Sequence, residues 1–463
     1  MFRKIVFSAI AASLCLVVLT AAGRAAELPA GDDALYFEAG ADYPVLAADR
    51  GGQRVIVRAL VAPSGTARGR APLAVALVLD KSGSMASDGK MENAKKGALE
   101  ALRILGSGDV AAVVVYDDGV SVPVRARAVK RGPEDPFFYR AIRNIQAGGS
   151  TALYDGVAAG ARELRPFISD GYIPRIVMLS DGMANVGPSS TRELAALGRR
   201  LSSGDGITVT TIGLGLDYNE DLMTALAAES GGNAYFARHA GMLTEIFARD
   251  LDDAVAVTAR KVRITLRCGA GVRPIGAVGR QGTPGDGSIE VSIDNVYGRE
   301  KYALFEIELP AGAAGDSLRA AGLEVEYVDA ASGALVKKSA FVDVTFTADP
   351  AEVEKGRQAQ ISSQAELARN ALVREAAVKL ADSGKVKEAA ALMAERARQL
   401  QAAAPGAGEA APALSKEAEY FEEYAGELEA SGSLSNAARK QVMNDAYIQK
   451  NQQAPVNGGG DGD

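Results

Sequence analysis

Leu73-Ala-Val-Ala-Leu-Val-Leu-Asp80-Lys-Ser-Gly-Ser-Met85 decides how this chain reads. An unbroken apolar run is the mark of a strand covered on both faces, as parallel sheets require, whereas a strand with one wet face would alternate. This one stops abruptly at a carboxylate followed by two hydroxyls. Similar runs lie at 110–116, 175–180 and 207–214, with a shorter one at 234–237. Between them, residues 91–105, 153–164, 192–201, 222–228 and 242–255 carry apolar side chains at three- and four-residue spacing, the helical period. Alternating strands and helices predict a doubly wound α/β domain over 73–257 with a mainly parallel sheet.

The flanks have a different period. Residues 34–62, within an early β segment of 26–72, and residues 258–348 alternate in strand fashion, as in Ala303-Leu-Phe-Glu-Ile-Glu-Leu and Leu323-Glu-Val-Glu-Tyr-Val. Half-buried antiparallel strands read this way. The expectation is an antiparallel β-sandwich with the α/β domain inserted in it or followed by it, the early β segment packing with the later one. Residues 349–448 are rich in Ala, Glu, Lys, Arg and Gln and predict a helical region of two or three helices, with a Pro/Gly/Ala linker at 404–413. The apolar stripe within 389–400 reads as packing against a sister helix. Residues 449–463 read as a disordered tail, and 457–463 (NGGGDGD) contain a single Gly/Asp repeat fragment of the kind that binds calcium in arrays.

Composition excludes several functions. The 463 residues hold 51 Lys+Arg against 58 Asp+Glu, a formal charge of −7, so no basic footprint invites a nucleic-acid backbone. One histidine, His239, rules out zinc sites built on two imidazoles. Residues 1–25 have the order of a secretory signal: Arg3 and Lys4, an apolar run, then small Gly23 and Ala25. Cleavage there predicts an exported protein, periplasmic or extracellular, with no span left in the mature chain; an uncleaved N-terminal anchor is the alternative. With Cys15 in that leader, Cys268 has no intramolecular disulfide partner.

Open α/β sheets place ligands at the carboxyl ends of their strands. Three loops converge there. Asp80, Ser82 and Ser84 follow the first strand, Thr151 follows Gly148-Gly149-Ser150 before a helix, and Asp181 follows the 175–180 strand. All five supply oxygen, which suits a hard cation, magnesium first and manganese or calcium as alternatives. Lys81, Met85, Gly149 and Ser150 are expected at the ligand rim. The ordinary alternative makes the two acids helix caps and the hydroxyls turn stabilisers. Catalysis is not expected. Neither Ser82 nor Ser84 lies in a GxSxG elbow, no GxxxxGK[ST] loop occurs, and Ser82 stands where an aspartyl phosphatase needs a second acid. Asp217, Glu220 and Asp221 read as helix capping and dipole compensation, and Asp117-Asp-Gly as a hairpin turn.

The constellation Asp80-x-Ser82-x-Ser84, Thr151 and Asp181 resembles the metal-ion-dependent adhesion site of von Willebrand factor type A domains. Leu179-Ser-Asp-Gly-Met-Ala-Asn-Val-Gly is similar to exported bacterial members, and Asp80-Lys-Ser-Gly-Ser-Met to the calcium-activated chloride channel regulators. The resemblance covers roughly residues 73–250. It implies a non-enzymatic module that binds a protein ligand through the metal, completed by an exposed Asp or Glu of the partner. It also implies coupling of ligand engagement to a shift of the 242–255 helix. A second expectation is an envelope assembly or accessory scaffold whose helical tail recruits the partner.

Overall fold

The computed structural model describes residues 34–64, 71–130, 134–293 and 295–453. The expected leader, Cys15 and the Gly/Asp-rich end lie outside the described residues. The chain begins with strands β1 (Leu35–Ala41), β2 (Val45–Ala47) and β3 (Gln53–Pro63). It then enters an α/β unit: β4 (Leu73–Asp80), α1 (Lys90–Ile104), β5 (Val110–Tyr116), β6 (Val120–Ala128), α2 (Pro136–Arg143), α3 (Leu153–Ile168), β7 (Ile173–Ser180), α4 (Thr191–Arg200), β8 (Thr208–Leu214), α5 (Glu220–Ser230), β9 (Ala234–Ala237) and α6 (Leu243–Val255).

The sheet of this unit has the order β6-β5-β4-β7-β8-β9. All its pairings are parallel except the β5–β6 hairpin, which turns at Asp117-Asp118-Gly119 as the sequence predicts. The unbroken apolar runs have a direct cause. In β4, Leu73, Val75, Leu77 and Leu79 enter the core beneath α1, α2 and α6, while Ala74, Ala76 and Val78 enter the opposite core beneath α3, α4 and α5. Because helices cover both faces, neither set of side chains tolerates a polar residue until the strand ends.

After α6 the chain returns to β structure: β10 (Val257–Cys268), β11 (Arg273–Ala277), β12 (Thr283–Gly285), β13 (Ser288–Ser292), β14 (Asn295–Tyr297), β15 (Lys301–Leu309), β16 (Ser317–Asp329) and β17 (Leu335–Thr347). β3 pairs antiparallel with β15 from Val61 opposite Lys301 to Gln53 opposite Leu309. This makes a four-stranded sheet, β1-β3-β15-β11, which packs on a seven-stranded one ordered β12-β13-β10-β16-β17-β2, with β14 also on β10. Their shared core includes Val55, Val57, Phe305 and Ile307 from one side and Ile264, Leu323, Val325 and Val344 from the other. The α/β unit is thus inserted into a sandwich that is antiparallel except where β2 pairs parallel with β17.

The remainder is helical: α7 (Pro350–Gly356), α8 (Ala359–Asp382), α9 (Val386–Ala403), α10 (Ala411–Ser431) and α11 (Asn436–Asn451). The expected linker is short, with two 3₁₀ turns leading into α10. Ala389, Ala390, Met393, Ala397 and Leu400 are buried with Leu414, Phe421 and Leu428 of α10, so the apolar stripe of α9 is spent on its neighbour. The last helix extends beyond the expected boundary at 448. Gln452 binds both the amide and the carbonyl of Tyr302 in the sandwich, and Gln453 does the same to Ala234 on the edge strand β9. The described end of the chain therefore ties the two β structures together. Among the described residues, no helix is long and apolar enough to cross a membrane.

Candidate functional site

The site is assembled at the carboxyl ends of β4 and β7, which are adjacent in the middle of the sheet. Asp80 closes β4 and is fully buried. Its Oδ1 accepts the Ser82 amide at 2.8 Å and its Oδ2 accepts the Ser180 hydroxyl at 2.8 Å. The chain turns at once into a short 3₁₀ segment, Gly83–Ala86, bringing the Ser82 and Ser84 hydroxyls within 3.1 Å of each other. Ser84 Oγ donates to Asp181 Oδ1 at 2.7 Å. A methyl group at Gly182 would lie 3.5 Å from Ser84 Oγ and 3.8 Å from Thr151 Oγ1, so both hydroxyls border this glycine. The structure brings all five expected residues together.

Backbone bonds stitch the three loops into one surface. The Gly83 amide donates to the Gly149 carbonyl, the Gly148 amide to the Lys81 carbonyl and the Ala152 amide to the Asp117 carbonyl. Asn185 Oδ1 accepts the Thr151 amide at 2.8 Å, while the Asn185 and Val186 amides donate to the Thr151 carbonyl. Gly149 sits at φ +85°, and a Cβ there would fall 2.9 Å from both Asp117 Cβ and an Asp118 carboxylate oxygen. Only glycine suits that position.

The expected rim residues divide. Gly149 is exposed and Ser150 half-buried, its amide held by Asp118. Lys81 is half-buried and ion-paired to Asp117, rather than a free solvated charge. Met85 is a correction: it is fully buried in the core beneath α1, because the tight turn after Ser84 points its side chain back into the domain. The acids after β8 also do more than compensate a dipole. Asn219 caps α5, while Glu220 and Asp221 pair with Arg439 and Lys440 of α11.

Three further contributors were not anticipated. Ser180 and Asn185 position Asp80 and the Thr151 loop. Lys90, the first residue of α1, places its Nζ 2.8 Å from Asp181 Oδ2. The only signal in the sequence is proximity: Ser180 and Asn185 flank Asp181 within its loop, and Lys90 opens the helix after the Asp80 loop.

The donor set fits a hard cation. It is all oxygen, and among the described residues no group of three or more His, Cys, Asp or Glu gathers as an alternative. Burial pushes the Asp80 carboxyl up to about 6; hydrogen bonds from Ser82 and Ser180 work against that shift, and the Asp181 charge adds to it. The rise reflects removal of this carboxylate from water, which its two serine partners only partly offset.

The model of the von Willebrand factor type A domain matches residues 74–249, which are the α/β unit that carries this site. Residues 74–249 are a von Willebrand factor type A domain. Such domains are generally interaction modules rather than enzymes. An uncharacterized protein of Synechocystis is 31% identical over 182 residues, covering 39% of this chain and 41% of that protein. Bovine calcium-activated chloride channel regulator 1 is 26% identical over 194 residues, covering 41% of this chain and 20% of that protein. The chain thus spans less than half the length of either relative. A solved structure described as von Willebrand factor type A from Catenulispora acidiphila superposes with a TM-score of 0.65 at 18% identity, over 90% of this chain and 96% of that one. The ArnB paralog VWA2 from Sulfolobus acidocaldarius gives 0.57 at 16%, over 91% and 99%. These two likenesses concern the fold, and they extend beyond the type A domain to the sandwich and helices.

Proposed function

We propose that this is an exported, divalent-cation-dependent protein-binding module of adhesion or recognition type, with Asp80, Ser82, Ser84, Thr151 and Asp181 holding the cation. The observation that carries this reading is the convergence of two fully buried carboxylates and three hydroxyls from three loops, with nothing but oxygen among them. Magnesium, or manganese or calcium, would there offer an unfilled position to an Asp or Glu of the partner. The chain's own part is to fix the donors in place, with Ser84 open to solvent: Ser180 fixes Asp80, Asn185 fixes the Thr151 loop, and Gly149 closes against Asp117.

A surface for the rest of the partner adjoins the site. An open groove of about 760 Å³ runs from Lys81 between β6 and α2, lined by Pro123, Phe137, Arg140 and Gln146 among others. Of its two charged lining residues Lys81 is already paired with Asp117, which leaves Arg140 to favour an acidic partner. Export rests on the basic, apolar and small-residue order of residues 1–25. Recruitment by the helical tail, the alternative, has less support, since the stripe available for it is buried against α10.

Titration calorimetry with magnesium and manganese tests the reading, comparing wild type with Asp80→Ala. Binding lost in a variant whose circular dichroism is unchanged supports it. No binding by the folded wild type would leave the domain a scaffold.

A further inference from the structure

Lys90 is in the wrong place for a helix-stabilising lysine. It is the first residue of α1, after Gly89 at φ 65°, where the helix dipole favours acids and opposes cations. Its side chain is only 12% exposed, so it has also given up most of the water that an ammonium prefers. What it gains is Asp181, a carboxylate with 0% exposure whose Oδ2 lies 2.8 Å from Nζ while Ser84 occupies Oδ1. The nearby lysines are engaged elsewhere, Lys81 with Asp117 and Lys95 with Glu92.

We infer that Lys90 is a tethered counter-cation of the metal site, which neutralises Asp181 when no divalent ion is bound and lowers the affinity of the site for one. The inference rests on the cation-site reading above. A buried carboxylate without a partner is strongly destabilising, and Lys90 removes that penalty in the metal-free protein. The same ammonium repels a dication brought to Asp80 and Asp181 through a medium of low dielectric constant. One residue therefore stabilises the metal-free fold and sets the cation concentration at which the site fills. Ser84, being neutral, hydrogen-bonds Asp181 without repelling a dication.

Manganese titration of the full chain by calorimetry, with Lys90→Met and Lys90→Arg beside wild type, tests this together with thermal unfolding in chelator. Lys90→Met is expected to bind manganese at least tenfold tighter, and to melt below wild type in chelator by a margin that closes at saturating manganese. Lys90→Arg, keeping the charge, stays near wild-type affinity. If Lys90→Met does not fold, Lys90→Gln retains a hydrogen bond to Asp181 without the charge and is read in the same way. Equal or weaker manganese binding in the neutral variants, with wild type binding, overturns the counter-cation role and leaves Lys90 as a positioning residue. Absence of binding in folded wild type overturns the cation site itself, and Lys90's role with it.

Discussion

The Arg175 guanidinium donates to the Asp250 carboxylate at 2.9 Å in the interior of the type A domain, with side-chain exposures of 2% and 0%. The pair joins β7 to α6. Thr210 Oγ1 and Asn233 Nδ2 each donate to the same Asp250 oxygen at 2.8 Å, and Tyr297, from β14 of the sandwich, donates to Asn233 Oδ1 at 2.9 Å. The last helix of the inserted domain is thereby tied to the structure that receives it.

Removing one partner of this pair leaves the other charged and dry. Asp250→Ala is expected to cost about 3–5 kcal/mol in urea unfolding, the usual range for breaking a buried ion pair. Replacing both groups by apolar side chains, Arg175→Met with Asp250→Leu, should recover much of that loss. Equal loss in the single and double variants would mean that the carboxylate matters for its three donors rather than for its charge.

Gly149→Ala adds a methyl group against Asp117 and Asp118 and forces alanine to φ +85°. The left-handed conformation alone costs about 1–2 kcal/mol. A lower melting temperature and weaker manganese binding are expected together, because the same loop carries Thr151. Unchanged affinity in a destabilised variant would separate the loop's conformation from the site.

Lys440 is buried against the Tyr218 ring and carbonyl and paired with Glu220. Burial works against ionised Glu220, yet the Lys440 hydrogen bond and the charges of Lys440 and Arg439 hold its carboxyl below the ordinary range. Lys440→Met should cost about 2 kcal/mol, less than a fully buried pair because Arg439 remains. Hydrogen exchange should accelerate in 436–451 ahead of the type A domain. Uniform acceleration would show that α11 and the domain open as one unit.

Asp42 titrates in the opposite sense. Burial raises its carboxyl to about 6, against the pull of the Ile56 and Tyr43 amides and the charges of Arg369 and Arg357. The unfolded carboxyl ionises near pH 3.9, so folding favours the protonated form. Its contribution is fully present below about pH 4 and is lost as pH rises through 6. Both amides bond to Oδ1, which asparagine retains. Asp42→Asn should therefore match wild type at pH 4 and gain about 2 kcal/mol at pH 7.5, read from denaturant midpoints. A gain that does not change with pH would contradict this.

Much of the fold was legible because its signals are local. A strand covered by helices on both sides is mostly apolar, so β4 and β5 announce themselves, and so do β7 and β8 despite the buried Arg175 and threonines they carry. That the five candidate residues converge was legible for a related reason: each lies in the loop after such a strand or at a glycine loop, and the parallel topology gathers these loops at one edge. Met85 was misread because its neighbours in sequence are site residues, whereas burial depends on which way a tight turn throws the next side chain. The acids at Glu220 and Asp221 were read through their own helix alone, since Arg439 and Lys440 lie more than 200 residues later.

The sequence by itself determined the layers and the gathering of five oxygen-bearing residues at the strand ends as a candidate site, because these follow from the periodicity of burial and the chemistry of side chains. Only the tertiary structure decided that Lys90 faces Asp181, that Tyr297 reaches the network around Asp250, and that Gln452 and Gln453 clasp two separate sheets. A lysine, tyrosine or glutamine at a helix end or strand end is locally content in water. Its partner is chosen by which distant elements pack beside it, and short-range pattern carries no record of that choice.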